Sequence, residues 1–348
     1  MTHGPPPVVT HGPPLPEKTP APCIRPAFSL ISPPPPTPMP ITPPPVAAAT
    51  PAAIRRATLI GACAIVLWAT LALLTTLAGT IPPFQLMAMA FALAFAVGMA
   101  GSLVRGHSPW RALIQPLPVW GLGVGGLFGY HFLYFLALRW APPLEANLLN
   151  YLWPLLIVLF SALLPGERLG RGHIGGALCG LAGTALLISG GGSLEIRWDA
   201  APGYLAAIAA AVIWAAYSVL SRRFGQVPTD AVGGFCLATA LLAGLAHAAF
   251  ETTVWPASPT TWLAILGLGL GPVGGAFFVW DHGVKHGDIR ALGAMAYLTP
   301  LLSTATLMMS GQAAGSRLIW LACGLIVAGA ILASHTTLKT HPPPQATP

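Results

Sequence analysis

From Thr58 onward the sequence is a succession of apolar runs of about 20 residues, separated by short polar, Pro- or Gly-containing connections. A helix of this length spans the roughly 30 Å hydrocarbon core of a bilayer. The connections leave no room for a folded extramembrane domain. The chain is therefore predicted to be an all-α polytopic membrane protein. Its ten predicted transmembrane helices lie at about 58–79, 84–104, 117–138, 144–164, 171–190, 203–222, 231–251, 262–282, 290–310 and 317–336.

Composition agrees with a bilayer environment and argues against other classes. Of the 348 residues, 55% are hydrophobic and 7% are charged, whereas soluble domains carry roughly 25% charged residues. The 16 Lys and Arg residues outnumber the nine acids, but they are scattered at the ends of apolar runs, which argues against nucleic-acid binding. The five cysteines have no CxxC spacing and are interpreted as packing residues, so no disulfide, metal or other cofactor is expected.

Residues 1–53 differ in composition from the predicted helices. Proline clusters such as Pro33-Pro34-Pro35-Pro36 and Pro43-Pro44-Pro45 favour polyproline II and give no periodic apolar face. No continuous apolar segment typical of a secretory signal occurs here. We interpret residues 1–53 as a disordered, proline-rich cytoplasmic tail, with a role as an SH3-type ligand as the alternative, and residues 337–348 as a second disordered tail.

Basic residues predict how the helices are oriented. If the amino terminus is cytoplasmic, eleven Lys and Arg residues flank the cytoplasmic helix ends, and only Arg139, Arg197 and Arg317 lie in the outer loops. Cytoplasmic loops of membrane proteins carry an excess of Lys and Arg. Both termini are therefore predicted to be cytoplasmic.

The chain repeats itself at an offset of 146 residues. Trp68 aligns with Trp214, Tyr151 with Tyr297, and Pro154 with Pro300. Two five-helix repeats follow, over residues 57–190 and 203–336. Because five is odd, the second repeat enters the membrane from the opposite side, and inverted repeats of this kind are typical of secondary transporters with a site near the midplane. An ancient duplication without a transport role is the alternative.

The matched residues indicate where a substrate would bind. A proline within a helix leaves a carbonyl four residues earlier without its donor, here those of Asn150 and Ala296, and lipid cannot satisfy a free carbonyl. Aromatic residues cluster at the same depth, where they either line a cavity for a flat apolar ligand with a polar head or form ordinary core. The predicted substrate-binding residues are Trp68, Tyr130, His131, Tyr134, Asn150, Tyr151, Trp153, Pro154, Trp214, Tyr217, Trp280, Tyr297 and Pro300.

Charge is absent from the middle of every predicted helix. An intramembrane acid is the usual site for a proton relay or a cationic drug, so passive, gradient-driven movement is predicted. His131 is the one titratable group near a helix centre, as a proton carrier or as a structural histidine. The glycines of helices three and eight (Gly121, Gly125 and Gly129, and their counterparts at 267, 271 and 275) form GxxxG faces, which predict close helix approach, either during rocking or as static packing.

Ten helices in two inverted halves resemble the EamA-type branch of the drug/metabolite transporter superfamily. Within it, three strings resemble the bacterial aromatic amino acid exporters of the YddG type: Thr58-Leu59-Ile60-Gly61 with Ala64-Ile65-Val66-Leu67-Trp68, Asn150-Tyr151-Leu152-Trp153-Pro154, and Ile213-Trp214-Ala215-Ala216-Tyr217. The resemblance covers roughly residues 57–336. It implies export of phenylalanine, tryptophan, tyrosine and other amino acids across the inner membrane, through a cavity lined by predicted helices one, three, four, six, eight and nine.

Other functions remain as alternatives at this point. Within transport, the substrate would be another small metabolite or a cationic drug, although predicted helix one has no acid. A membrane enzyme is disfavoured because the sequence has no GxSxG or HExxH motif. Short loops weaken the case for a receptor or scaffold. The expected partners are thus the bilayer and a small-molecule substrate, and a monomer is compatible with the sequence.

Overall fold

A computed structural model describes residues 1–4, 12, 50–165, 169–189, 197–311 and 317–340. Contacts divide the chain into two units, Met1–Ala47 and Ala48–Pro348, and the fold below is that of the second unit. Both proline clusters of the predicted amino-terminal tail lie outside the described residues, as do residues 341–348 of the predicted carboxyl-terminal tail.

The described part of the second unit is helical and contains no β-strand. The helices are α1 (Pro51–Ala69), α2 (Leu71–Ala78), α3 (Pro83–Val104), α4 (Pro109–Leu113), α5 (Leu117–Val124), α6 (Tyr130–Trp140), α7 (Pro143–Asn150), α8 (Trp153–Ser161), α9 (Arg171–Ser189), α10 (Ala201–Arg223), α11 (Ala231–Phe250), α12 (Pro259–Leu270), α13 (Ala276–His286), α14 (Ile289–Met295), α15 (Leu298–Met309) and α16 (Arg317–Thr340).

Among the described residues, nine helical segments are long and apolar enough to cross a bilayer. A further apolar helix, Arg317–Leu332 within α16, is shorter than these. The predicted all-helical membrane fold is confirmed. Of the ten predicted spanning helices, nine meet these criteria of length and composition among the described residues. Large apolar side chains such as Val66, Leu205 and Leu263 are exposed on the surface of the bundle, as expected where the surrounding solvent is hydrocarbon.

The helix ends differ from the predicted boundaries by several residues. α1 begins at Pro51, seven residues before the predicted 58, because Thr50 caps it by accepting a hydrogen bond from the amide of Ala53. Proline at the first helical position costs no hydrogen bond, since that amide has no partner inside the helix. At the other end, α16 continues to Thr340, four residues into the segment predicted as a tail.

Several spanning segments are interrupted, and two kinds of interruption recur at the repeat offset. The fourth segment breaks between α7 and α8, and the ninth breaks between α14 and α15. The third and eighth segments each contain a π-helical turn, at Gly125–Gly129 and Gly271–Gly275. Such π turns often occur at functional sites. The interruptions place irregular backbone near the centre of the bundle.

Close helix contacts hold the bundle around these breaks. α1 packs on α13, α3 on α11, α10 on α6 and α8, and α9 on α16. Where α1 crosses α13, a Cβ atom on Gly61 would lie 2.8 Å from the Cα of Gly283, so neither position has room for a side chain. The largest cluster of buried apolar residues comes mainly from α3, α10, α11 and α13.

The first predicted GxxxG face does not carry the close contacts of the third spanning segment. A Cβ atom added at Gly121 or Gly125 would meet nothing within 4 Å. Instead, Gly123 receives the ring of Phe235, and Gly126 receives the ring of Tyr217. The prediction of close approach through the first of these faces was wrong because the glycine spacing does not reveal which side of the helix meets a neighbour.

Candidate substrate-binding site

A cavity of about 750 Å³ lies at the centre of the bundle, within the roughly 300–1,000 Å³ range typical of ligand pockets. Its wall is formed by segments one, two, three, four, six, eight and nine. It extends to the connection 79–82 between α2 and α3. Its predominantly apolar lining consists of Trp68, Leu71, Ala72, Thr75, Gly79, Thr80, Ile81, Pro82, Pro83, Leu86, Met87, Ala90, Phe91, Tyr130, His131, Tyr134, Phe135, Leu138, Asn147, Asn150, Tyr151, Trp153, Trp214, Leu268, Pro272, Val273, Phe277, Thr299 and Ser303.

Three tryptophans form the core of the wall, and each is nearly perpendicular to the other two. Trp68 lies 6.0 Å from Trp153 and 5.7 Å from Trp214, with interplanar angles of 81° and 76°. Trp153 and Trp214 are 6.4 Å apart at 88°. Edge-to-face pairs of this kind are a favourable aromatic arrangement. We call this group the indole box; it brings together residues from segments one, four and six.

The cavity wall has few polar side chains, and two of them carry an oxygen atom without a hydrogen-bond partner. Asn150 donates from Nδ2 to the hydroxyl of Tyr130 at 3.1 Å, while its Oδ1 is buried without a hydrogen bond. The hydroxyl of Thr299 is likewise buried and unpaired. Tyr134 donates to Oδ1 of Asn147. An unpaired buried polar atom costs about 1–3 kcal/mol, so Asn150 and Thr299 are suited to receive the polar head of a ligand.

The only His, Asp, Glu, Lys or Arg side chain among the described lining residues is His131. Its Nδ1 lies 2.7 Å from the carbonyl of Leu127, so Nδ1 carries the proton and donates. The ring packs edge-on against Phe91 and Phe277. The described residues also contain no cluster of three or more His, Cys, Asp or Glu side chains that could hold a metal ion.

Five of the thirteen predicted residues lie behind the wall. Trp280 is fully buried beneath the indole box, with its ring 5.0 Å from that of Trp68, and it donates to Ser218 at 3.0 Å. Tyr217 packs on Gly126. Tyr297 is fully buried, and its hydroxyl accepts a hydrogen bond of 3.1 Å from the amide of Leu155. Pro154 and Pro300 are buried in the first turns of α8 and α15.

One of the two carbonyls predicted to be free at the proline breaks has a donor. The carbonyl of Ala296 accepts a hydrogen bond of 3.0 Å from the amide of Thr299, so the prediction that it would be free was wrong. The chain tightens into a three-residue turn there.

Two lining residues missed by the sequence analysis follow from the repeat register. Phe277 is the counterpart of His131 and stacks on Phe91 with centroids 5.6 Å apart. Thr299 is the counterpart of Trp153. Applying the offset of 146 to every predicted residue would have found both. Phe91, in the uniformly apolar α3, had no such signal.

Buried polar contacts close the bundle at the end opposite the connection 79–82. Thr58 of α1 accepts from the amide of Asp288 at 2.8 Å, and Arg222 of α10 donates to the carbonyl of Gly287 at 2.6 Å. Lys285 pairs with Asp281 at 2.8 Å, with both side chains buried. We call this region the closed end. The cavity therefore has one open and one closed side.

Broken helices around a central aromatic cavity define a membrane transporter for a small molecule, and comparison with known proteins agrees. The model of the EamA-like transporter family matches twice, over residues 55–189 and 201–335. The chain therefore belongs to the EamA-like transporter family. It is a multi-pass membrane protein built from a duplicated repeat, and it is a transporter and not an enzyme.

Individual relatives give finer detail. The chain is 56% identical over 279 residues to an aromatic amino acid exporter YddG of Ancylobacter novellus, covering 80% of this chain and 96% of the relative. It is 27% identical over 298 residues to an aromatic amino acid exporter YddG of Salmonella typhimurium, with coverages of 80% and 96%. A solved crystal structure with 54% identity matches with a TM-score of 0.79 and covers 83% of this chain and 99% of its own.

Proposed function

We propose that this protein exports aromatic amino acids from the bacterial cytoplasm across the inner membrane. The indole box carries the proposal: three mutually perpendicular indoles facing one cavity offer ring faces and edges to a flat apolar side chain. Each aromatic pair contributes roughly 0.5–1.5 kcal/mol beyond the burial of apolar area. The 56% identical relative bears the name of an aromatic amino acid exporter, in keeping with this chemistry.

The polar groups of the cavity suit the head of an amino acid. An α-ammonium needs acceptors, and Oδ1 of Asn150 is buried without a hydrogen-bond partner. The Thr299 hydroxyl and the tyrosine hydroxyls can donate to a carboxylate. These groups lie beside the indole box, so the side chain and the head of one ligand are held together.

Alternating access between two inverted halves is the proposed mechanism. The open side lies at the connection 79–82, which the distribution of Lys and Arg assigns to the outer surface. The closed end is then cytoplasmic, and the structure corresponds to an outward-facing state. Broken helices at the interface of inverted repeats can exchange conformations, which opens the site to the other side.

Transport is proposed to be passive. Of the described lining residues, none is Asp, Glu, Lys or Arg, and the usual intramembrane proton relays use such groups. His131 holds its Nδ1 proton in a hydrogen bond to Leu127 and is enclosed by aromatic rings. A pH gradient imposed on liposomes tests the point. Uphill accumulation of substrate driven by that gradient would exclude passive transport.

Uptake of radiolabelled phenylalanine and tryptophan into liposomes tests the substrate class. Wild-type protein is expected to give saturable uptake, competed by other aromatic amino acids. Trp214→Ala removes one side of the indole box and is expected to raise KM at least about tenfold, equivalent to about 1.4 kcal/mol. The control is Trp320→Ala, since Trp320 is 73% exposed in α16 and is not among the lining residues. Wild-type uptake of neither compound would refute the aromatic assignment, and other metabolites and drug cations would then be tested.

A further inference from the structure

The two repeats contain equivalent tyrosines that differ in burial and in contacts. Tyr297, between α14 and α15, is fully buried, and its hydroxyl accepts from the amide of Leu155 across the repeat boundary. Its counterpart Tyr151, between α7 and α8, is half-buried and lines the cavity. The tyrosines have the same place in their repeats, so the difference reflects the conformation and not the residue type.

The glycines that face these tyrosines show the same asymmetry. A Cβ atom on the buried Gly180 of α9 would lie 2.5 Å from the ring of Tyr297, so only glycine leaves room for that ring. The counterpart of Gly180 is Gly324 of α16, within the matching strings Cys179-Gly180-Leu181 and Cys323-Gly324-Leu325. A Cβ atom on Gly324 would meet nothing within 4 Å. We call the space beside each of these glycines a slot. The slot at Gly180 is filled by a tyrosine ring, and the equivalent slot at Gly324 is empty.

Helix packing explains why only one slot is filled. At the closed end, α14 packs against α8 and α9, which brings Tyr297 onto Gly180. The equivalent contacts would join α7 to α15 and α16, and no comparable packing of these helices occurs in the described part of the chain. The space between α7 and α15 is instead part of the open cavity, which Asn147 and Ser303 line from either side.

We infer that Gly324 receives the ring of Tyr151 in the opposite-facing state, while Tyr297 leaves Gly180 and becomes part of the cavity wall. The hydroxyl of Tyr151 then lies at the amide of Leu301, the counterpart of Leu155. Tyr297 is thereby a substrate contact of that state, as Tyr151 is of the present one. The inference rests on the proposed alternation between two states, and it gives Gly324, which does not line the cavity in the present state, a role in transport.

Cross-linking tests the inference without measuring transport. In full-length protein carrying Cys179→Ala and Cys323→Ala, one variant has Gly180→Cys with Tyr297→Cys. The present structure would place those Cβ atoms about 2.9 Å apart. Moving the two helices apart by about 1 Å gives the usual disulfide spacing, so this pair is the positive control. The test variant has Tyr151→Cys with Gly324→Cys. The negative control has Tyr151→Cys with Ile331→Cys, seven residues and about 10 Å further along the same helix face.

Mild oxidation followed by mass spectrometry of the peptides gives the rate of each disulfide. The 151–324 pair is expected to form at least tenfold faster than the 151–331 pair, at a rate limited by exchange between states. Equal rates for these two pairs, with the 180–297 pair forming normally, would overturn the inference. If wild-type liposomes transported no aromatic amino acid, the proposed function would fail, but these rates would still decide the present question.

Filling the empty slot gives a second, functional test. Gly324→Leu is expected to leave phenylalanine affinity in the present state unchanged within twofold, because a Cβ atom at this position meets nothing within 4 Å, and to slow phenylalanine transport at least tenfold. The matched control is Gly244→Leu, another helical glycine whose Cβ atom would meet nothing within 4 Å; it is expected to transport at the wild-type rate. Normal transport by Gly324→Leu would contradict the inference.

Discussion

The indole N–H of Trp68 donates a hydrogen bond of 3.1 Å to the carbonyl of Pro272. Trp68 lies near the end of α1 in the first repeat, and Pro272 lies in the π turn Gly271–Gly275 of the second. The bond thus joins the two repeats at the cavity wall and satisfies a carbonyl in an irregular turn. It also fixes the orientation of one side of the indole box.

Replacing Trp68 with phenylalanine tests this bond. Trp68→Phe keeps an aromatic ring but leaves the Pro272 carbonyl without this donor, which costs about 1–3 kcal/mol when the carbonyl stays buried. We expect a lower thermal unfolding temperature in detergent and a higher KM for phenylalanine in liposomes. Trp320→Phe, at an exposed position, is expected to change neither quantity. An unchanged unfolding temperature in Trp68→Phe would show that the bond contributes little.

Asn150 is predicted to bind the ammonium group of the substrate. Tyr130→Phe removes the hydroxyl that accepts from Nδ2 of Asn150 but keeps Oδ1 of Asn150 in place. Asn150→Ala removes the whole side-chain amide, including the unpaired Oδ1. We expect KM for phenylalanine to rise less than threefold in Tyr130→Phe and about tenfold or more in Asn150→Ala, or about 1.4 kcal/mol. Equal effects in the two variants would assign the role to the Tyr130 hydroxyl and refute the prediction.

Thr299 offers a test in which stability and binding move in opposite directions. Its buried hydroxyl has no partner, and Thr299→Val replaces it with a methyl group of similar size. Removing an unsatisfied polar atom is expected to leave the unfolding temperature unchanged or to raise it. If the hydroxyl binds the substrate, KM rises about three- to tenfold. A lower unfolding temperature with unchanged KM would mean that the hydroxyl has a structural role only.

The repeat register explains why much of the site could be predicted from the sequence. Trp68 and Trp214 were found because they align at the offset of 146, and both belong to the indole box. Pro154 and Pro300 marked two helix breaks correctly, since proline cannot donate within a helix. The same register would have added Phe277 and Thr299.

The asymmetry between the repeats could not be predicted in this way. Tyr151 and Tyr297 have equivalent places in the sequence, yet one lines the cavity and the other is buried on Gly180. A repeat in sequence describes what both halves can adopt, and a single conformation shows them in different states. The prediction that Gly121 lies at a close helix contact was wrong for another reason. Residue spacing on one helix does not specify which side of it meets the neighbouring helix.

An aspartate on the loop before α11 makes the stability of the folded protein depend on pH. Asp230 accepts from Arg105 at 2.6 Å and lies 3.2 Å from Nδ1 of His107. Although burial opposes its ionisation, the hydrogen bonds from His107 and Arg105 and the charge of Arg105 hold the pKa of Asp230 below its usual value. A lowered pKa in the folded state stabilises the protein above the unfolded pKa of about 3.9, and this contribution is lost as pH falls below it.

Asp230→Asn is therefore expected to be less stable than wild type at pH 7, by no more than about 1 kcal/mol, since Arg105 is largely exposed and the pair is screened by solvent. The difference in unfolding temperature should shrink as pH falls below about 4. Unfolding followed by tryptophan fluorescence in detergent between pH 3 and pH 7 measures it. A difference that stayed constant over this range would show that the ion pair is not its origin.

The buried pair Asp281–Lys285 at the closed end gives the largest expected effect on stability. Asp281 accepts from Lys285 and from Thr229, each at 2.8 Å, and Lys285 also donates to the carbonyl of Val227 at 3.1 Å. Removing one partner leaves a buried charge uncompensated, which costs about 3–5 kcal/mol. Asp281→Leu and Lys285→Met are each expected to lower the unfolding temperature strongly. The double variant should recover part of the loss, because two apolar side chains leave no unpaired charge.

The exposed pair Arg197–Asp199 is the control, and Asp199→Asn is expected to change the unfolding temperature little. Additive losses in the double variant would show that Asp281 and Lys285 act independently and not as a pair.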